Sequence, residues 1–339
     1  CGEMGQRVHL PNLKQIAGAA LCACADMDGA KRAVVQAQAG SIPAFASAAE
    51  LLASVEVDAL LIALPPTPQA EAAIAAFEAG KHVYCEKPPA DNWPDAERVL
   101  QAWRKAGTVG MVGFNQRHNP LAQRTRQIVA NGALDSVVHA QTVFSTSVAA
   151  LPAWKLRRST GGGVLLDLAS HHIDLLRYVL ADEVVEVLAQ TRSVQAEADS
   201  AAVQLRFSGG AIAQLAASWS SAEEDSVSLY GRGGRLYYDR YLSLDVQVLP
   251  PQQRGARWRA FTSALLALRR LPYYFARMRA PWNEVSYQAA LKNFLRACQG
   301  EEAPLPDMAD ALRSLRVVLA AEESAEQGRA IALEWDAPR

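Results

Sequence analysis

Asp167, His171 and Asp174 sit at i, i+4 and i+7 in an otherwise apolar stretch that opens on Gly161-Gly162-Gly163. A glycine run leading into apolar residues marks a loop feeding a helix, whose first-turn N–H groups lack intrahelical partners. At about 100° per residue the three polar side chains fall within roughly 60° of one another. Burying them among Val164, Leu165, Leu166, Leu168, Ile173, Leu175 and Leu176 is costly unless they pair or face a cleft. Such a stripe suits general acid/base chemistry, since an imidazole titrating near neutrality can take or return a hydroxyl proton. His171 is the expected base in oxidation and acid in reduction. Asp167, one turn earlier, orients that imidazole or holds an adjacent hydroxyl, and Asp174 buttresses the stripe or caps a partner. His172 projects about 100° away and reads either as packing or as a substrate neighbour.

The elements that must position this stripe fall into two patterns. Over the first 117 residues, strand-like runs (19–25, 59–64, 82–85, 109–114) alternate with helix-like ones, which predicts parallel βαβ units with right-handed crossovers. Cys1-Gly2-Glu3-Met4-Gly5 fits the close of a G-x-G-x-x-G turn. There Gly2 would let the backbone approach a pyrophosphate and Gly5 would let helix pack on strand. The first glycine and its preceding strand are absent from the sequence, which is therefore expected to be incomplete, its first domain exposing an unpaired strand edge. Asp26 ends the next strand about twenty residues on, where a carboxylate binds ribose hydroxyls and repels a 2′-phosphate. NAD is thus favoured over NADP, with Lys31 and Arg32 read as solvated on the following helix. An ordinary tight turn with a capping Asp is the alternative.

From about residue 135, strands are expected at 137–147, 184–194, 201–207, 211–218, 226–230, 236–239 and 244–248. They form an antiparallel meander with the 161–181 region inserted, followed by helices 285–299 and 308–327 and a short strand near 331–334. The predicted fold class is α/β: a Rossmann-type parallel-sheet domain over 1–117, then an α+β domain over 118–339 with a large, open, mostly antiparallel sheet. The 339 residues are 50% hydrophobic and 20% charged, with a net charge of −1, so charge gives no case for nucleic acid. Five cysteines without framework spacing read as reduced thiols in a cytoplasmic protein, and Cys22 with Cys24 is too little for a metal site. Segment 254–279 alternates basic residues with aromatics and leucines. The preferred reading is an amphipathic cover for the sheet or an oligomer contact. The alternative is a surface for a membrane or for a lipid- or nucleotide-linked sugar.

Several ordered motifs resemble the glucose–fructose oxidoreductase, inositol dehydrogenase and rhizopine catabolism (Gfo/Idh/MocA) family. They are Gly2–Gly5 with His9-Leu10-Pro11, Ala63-Leu64-Pro65-Pro66, Gly80-Lys81-His82-Val83-Tyr84-Cys85-Glu86-Lys87-Pro88, Gly113-Phe114-Asn115-Gln116-Arg117 and the 161–174 stretch. The resemblance implies hydride transfer between NAD(P) and a carbinol or carbonyl carbon of a sugar, polyol or sugar derivative. It implies a sheet face that mediates a homodimer or homotetramer. It makes Lys87 the catalytic lysine, touching substrate and nicotinamide ribose next to Glu86, with Asp167 and His171 completing the set. Lys87 and His171 would then meet at one nicotinamide ring. Pro65 and Thr67 fall where a loop meets the cofactor, with Gln69 where relatives often carry histidine. Asn115 follows a strand ending near the active site, and Arg117 either binds substrate or pairs at the domain junction. Trp154 and Lys155 either line a sugar pocket or serve as ordinary loop. A glycosidase or epimerase of the same fold with transient oxidation, or a non-catalytic NAD-binding regulator, are the other functional readings.

Overall fold

Three helices in the first hundred residues begin on side-chain caps, and two of these stop on glycine. Asp28 accepts from Ala30 N and Lys31 N, Ser47 from Glu50 N, and Asn92 from Asp95 N. They thereby start α2 (Gly29–Ala39), α3 (Ala48–Ser54) and α5 (Trp93–Ala106) by satisfying otherwise orphaned donors. Gly40 and Gly107, at φ +92° and +65°, end α2 and α5 in the left-handed region that glycine enters without cost. Preceding these is a π-turn, Gly5–His9, running into α1 (Leu10–Leu13).

The computed structural model describes residues 1–148, 151–251 and 271–335, which divide into two units. The first contains 1–118 and 277–313. Its strands β1 (Cys24–Ala25) and β2 (Ala44–Phe45) pair in parallel. A second parallel group, β3 (Ala59–Ile62), β4 (His82–Cys85) and β5 (Gly110–Val112), carries α4 (Pro66–Glu78) between β3 and β4. The expected strand at 19–25 contracts to its last two paired residues, since an apolar run becomes strand only where a partner supplies the ladder.

Residues 277–313, expected with the second domain, cluster with the first. After α8 (Leu271–Arg279), helix α9 (Ser286–Cys298) turns Ala290, Leu291 and Phe294 onto Ile16, Tyr84 and Met111, giving one apolar cluster. Of segment 254–279, residues 252–270 lie outside the described residues; in α8, Tyr274, Phe275 and Met278 are exposed.

The second unit, 119–276 with 314–339, is built on an eight-stranded sheet. Its strands are β6 (Val137–Ser147), β7 (Val184–Arg192), β8 (Ser200–Phe207), β9 (Ile212–Ser218), β10 (Ser220–Gly231), β11 (Gly234–Asp239), β12 (Gln247–Leu249) and β13 (Ile331–Ala332). Their order is β12-β11-β10-β6-β9-β8-β7-β13, antiparallel except for β6 with β9. That parallel pair departs from a pure meander: β6 lies between β9 and β10, and the chain leaves it for a long excursion through α7 (Ser170–Leu180) before β7. Strict alternation in β8 and β9 buries Ala201, Val203, Leu205, Phe207, Ala213, Leu215 and Ala217 on one face. The opposite face leaves Gln141, Leu188, Gln190, Ala202, Gln204, Gln214 and Ala216 exposed. Helices α6 (Pro120–Ala130) and α7 pack together, and the end of α10 (Met308–Gln327) reaches β7, where Ser324 Oγ accepts from Ala189 N at 2.9 Å. Among the described residues no helix is long and apolar enough to cross a membrane, no group of three potential ligands could hold a metal, and the cysteines are free thiols.

Candidate active site

Lys87 leaves β4 in a turn whose backbone is held from four sides. Glu86 N donates to Ile62 O at 2.8 Å, and Lys87 N donates to Glu86 Oε2 at 3.2 Å. The other oxygen of Glu86 lies 2.8 Å from Nε2 of the buried His9. Gln69, fully buried on α4, donates Nε2 to Glu86 O and, at 2.8 Å, to Pro88 O, so it bridges the peptides on both sides of Lys87. Its Oε1 accepts from Leu64 N at 3.3 Å. Gly113 must be glycine, because a Cβ there would lie 2.9 Å from Tyr84 Oη and 3.2 Å from Glu86 Oε1. The outcome is a rigid backbone that presents a half-exposed Lys87.

This brace changes two expectations. Glu86, read as a cofactor contact, is 7% exposed and turns both oxygens inward. Gln69 and His9 emerge as the residues that hold the lysine turn, although nothing in their spacing distinguishes a bracing amide from a helix-surface one. Gln69→Ala would leave Glu86 O and Pro88 O without this donor, and buried groups deprived of a partner cost about 1–3 kcal/mol. The urea midpoint should therefore fall; an unchanged midpoint would remove Gln69 from this role. Pro65 is half-buried ahead of α4, and Thr67 Oγ1 donates to Asp91 Oδ2 at 2.8 Å.

At the glycine turn, Gln6 N donates to Gly2 O at 2.9 Å, Glu3 is exposed and pairs with Arg7 at 3.1 Å, and Met4 is half-buried. No described atom lies within 4 Å of a Cβ placed on Gly2 or Gly5. The strand expected to pack on Gly5 is not part of the sequence. Asp26 follows β1 directly; its Oδ1 accepts from Asp28 N at 2.9 Å and its Oδ2 lies 3.1 Å from Cys1 N. The acidic end of β1 therefore stands beside the glycine turn. A carboxylate next to such a turn fits the ribose and pyrophosphate of a dinucleotide.

Asn115 and Arg117 go elsewhere than expected. Asn115 Nδ2 donates to Ser286 Oγ at 2.7 Å, Arg117 pairs with Asp310, and their exposures are 1% and 3%. Both serve the interior of the first unit, because α9 and the start of α10 return to cover that strand end. Of the two readings of Arg117, pairing is the one seen in the structure.

In the second unit, Asp167 lies on a π-turn, Leu165–Ala169, which widens the helix just before α7. The glycine run serves close packing. Gly161 and Gly163 take φ of +91° and +103°. A Cβ on Gly162 would lie 2.7 Å from Arg157 O and closer still to Lys155 O. The amides of Gly161, Gly162 and Val164 donate to Arg158, Arg157 and Ala198 carbonyls, so partners outside the helix satisfy them. The run docks the Ala153–Lys155 turn against the helix. Lys155 Nζ reaches Asp167 Oδ2 at 2.6 Å, and Trp219 Nε1 donates to the same oxygen at 3.1 Å. The Lys155 ammonium lies 5.4 Å from the centre of the Trp154 ring and 5.5 Å from that of Trp219.

His171 is half-buried and meets Phe144 edge-on, with ring centres 5.8 Å apart. His172, read as a substrate neighbour, is fully buried: its Nε2 lies 3.1 Å from Asp225 Oδ1 and its ring stacks on Phe144 at 5.2 Å. Arg240 closes the group, 2.7 Å from Asp225 Oδ2 and with its guanidinium 5.4 Å from the Phe144 ring centre. Burial alone would raise the Asp225 carboxyl, but the Arg240 charge and the His172 contact outweigh it and hold it below the ordinary carboxylate range. Of the two readings of Asp174, contact with a partner is the one seen. Asp174 is 1% exposed and accepts from Ser314 Oγ at 2.8 Å on α10. A stripe drawn with uniform α spacing cannot anticipate a π-turn inside it.

Residues 1–114 match the oxidoreductase family with an NAD-binding Rossmann fold, and residues 122–237 match the GFO/IDH/MocA C-terminal domain. The 4-carboxy-2-hydroxymuconate-6-semialdehyde dehydrogenase of Sphingobium sp. is 33% identical over 65% of this chain and 70% of its own length. The chain belongs to the Gfo/Idh/MocA family. It is an oxidoreductase with an NAD-binding Rossmann domain followed by the family's large-sheet domain. It is 29% identical to the myo-inositol 2-dehydrogenase of Thermotoga maritima, over 98% of this chain and 96% of the relative. In fold it resembles the WlbA dehydrogenase of Bordetella pertussis, solved with NADH and UDP-GlcNAcA. That TM-score is 0.85 at 23% identity, covering 99% of this chain and 96% of the other.

Proposed function

We propose that this Gfo/Idh/MocA oxidoreductase interconverts a secondary hydroxyl and a carbonyl on a sugar, polyol or sugar derivative, with Lys87, Asp167 and His171 as its catalytic residues. Two observations support the reading, each within its own unit: a braced lysine turn in the first and a helix bearing Asp167 and His171 in the second, in a chain of this family. Bound NAD supplies the hydride acceptor. His171 takes the hydroxyl proton in oxidation and returns it in reduction. Lys87 places an ammonium where negative charge grows on the reacting oxygen, so it stabilises the transition state more than the bound substrate. Asp167 orients the reacting hydroxyl or the imidazole. Asp26 at the end of β1 favours NAD over NADP. The substrate class follows the names of relatives, which include a myo-inositol dehydrogenase and a 1,5-anhydro-D-fructose reductase.

The test is a panel of polyols and sugars with NAD, followed at the NADH absorbance. Net NADH formation with a panel member supports a dehydrogenase. Turnover without net NADH would instead place the chain among transiently oxidising glycosidases or epimerases, and no turnover with any member would count against the reading. A cytoplasmic setting is consistent with the free thiols. The open sheet face bearing Gln141, Leu188, Gln204 and Gln214 is our candidate for a homodimer or homotetramer contact, to be checked by light scattering.

A further inference from the structure

We propose that Lys155 is a positioning residue of the reaction, which holds the carboxylate of Asp167 in place through a direct ion pair and does not itself bind substrate. This rests on the catalytic role proposed for Asp167.

Three features of the second unit carry it. The first is the pair itself, 2.6 Å from Nζ to Oδ2, with side chains only 22% and 20% exposed. Reduced solvent access makes the attraction stronger and more directional than at an exposed pair.

The second is the seat of the ammonium. Trp154 and Trp219 present their ring faces to it, and Trp219, itself 2% exposed, also donates to Asp167 Oδ2. Two aromatic faces bear on Lys155, and two donors converge on one carboxylate oxygen. Asp167 is thereby fixed in rotation.

The third is the rigidity of the turn that carries the lysine. Lys155 N donates to Pro152 O at 2.9 Å, Thr160 Oγ1 donates to Trp154 O at 2.7 Å, and Glu197 N donates to Leu156 O at 3.1 Å. Gly162 lets the Lys155 carbonyl close onto the helix. A side chain serving only as an adaptable sugar contact would need none of this construction. One that must hold a carboxylate to within a fraction of an ångström does.

The test has a spectroscopic and a kinetic arm on the full chain. In 1H–15N spectra of the lysine ammonium groups, Lys155 should give a slowly exchanging 15Nζ signal, identified by its loss in Lys155→Met. Asp167→Asn should abolish it; persistence of the signal in Asp167→Asn would overturn the inference. With NAD and the panel substrate that turns over fastest, Lys155→Met should lower kcat on the order of 10²-fold, with KM changed by less than about twofold. Lys155→Arg, keeping the charge, should recover part of that loss. In an Asp167→Asn background Lys155→Met should have little further effect, because the group it positions is already gone. A rise in KM at unchanged kcat would make Lys155 a substrate ligand and sink the proposal. Full activity of Asp167→Asn would instead sink the catalytic role given to Asp167, a distinguishable failure.

Discussion

Lys87→Met is expected to lower kcat for NAD-linked oxidation on the order of 10²–10³-fold, the usual cost of removing one preorganised stabiliser of a developing oxyanion. Methionine keeps the length and apolar stem of lysine and removes only the charge. The surrounding brace does not depend on that charge. Gln69 holds the carbonyls of Glu86 and Pro88, Glu86 holds the amide of Lys87, and His9 holds Glu86. The fold should therefore survive, and NADH binding measured by fluorescence should remain while turnover is lost. An ammonium helps most where charge appears during reaction, so kcat and kcat/KM should fall together. Turnover within about twofold of the unaltered chain would show that Lys87 has no part in the chemistry.

The second large effect is on stability. Asp225→Ala removes the carboxylate between His172 and Arg240, all three nearly or fully buried, and leaves the Arg240 guanidinium without this counter-charge. Breaking a buried pair by deleting one partner costs about 3–5 kcal/mol. Denaturant unfolding should show it, and a loss below about 1 kcal/mol would mean the pair is solvated in solution. The pH dependence follows from the direction of the shift. The folded carboxyl titrates below the unfolded one, since the Arg240 charge and the His172 contact outweigh the upward push of burial. Its contribution is therefore fully present above about pH 4, the unfolded value. It is lost as pH falls through the lower folded value. The difference between the unaltered chain and Asp225→Ala should accordingly hold at neutral pH and shrink only in strong acid. The same variant should slow turnover, because this group fixes Phe144, on which the His171 ring leans.

Local chemistry was legible where the deciding partner lies close in the chain. Strands expected at 201–207 and 211–218 and helices expected at 285–299 and 308–327 are found as β8, β9, α9 and α10. Motif order pointed to the family, and the 161–174 stretch to Asp167 and His171 as a chemical pair. Glu86, Asn115, Arg117 and His172, expected to meet ligands, have protein partners that their spacing did not announce. Each is a polar residue whose partner lies far along the chain: His9, Ser286, Asp310 and Asp225. In sequence, a carboxylate awaiting a substrate and one already satisfied by a distant histidine look identical.

Residue types and their local periodicity thus sufficed for the fold class, a Rossmann-type parallel part followed by a large, mostly antiparallel sheet. They suffice because helix, strand and cap preferences act over a few residues. Only tertiary packing decided that α9 covers β4 and β5, that Gln69 bridges the lysine turn, and that Lys155 and Trp219 converge on Asp167. Those outcomes depend on which apolar faces close against each other, and a buried polar group then bonds to whatever that closure brings within about 3 Å.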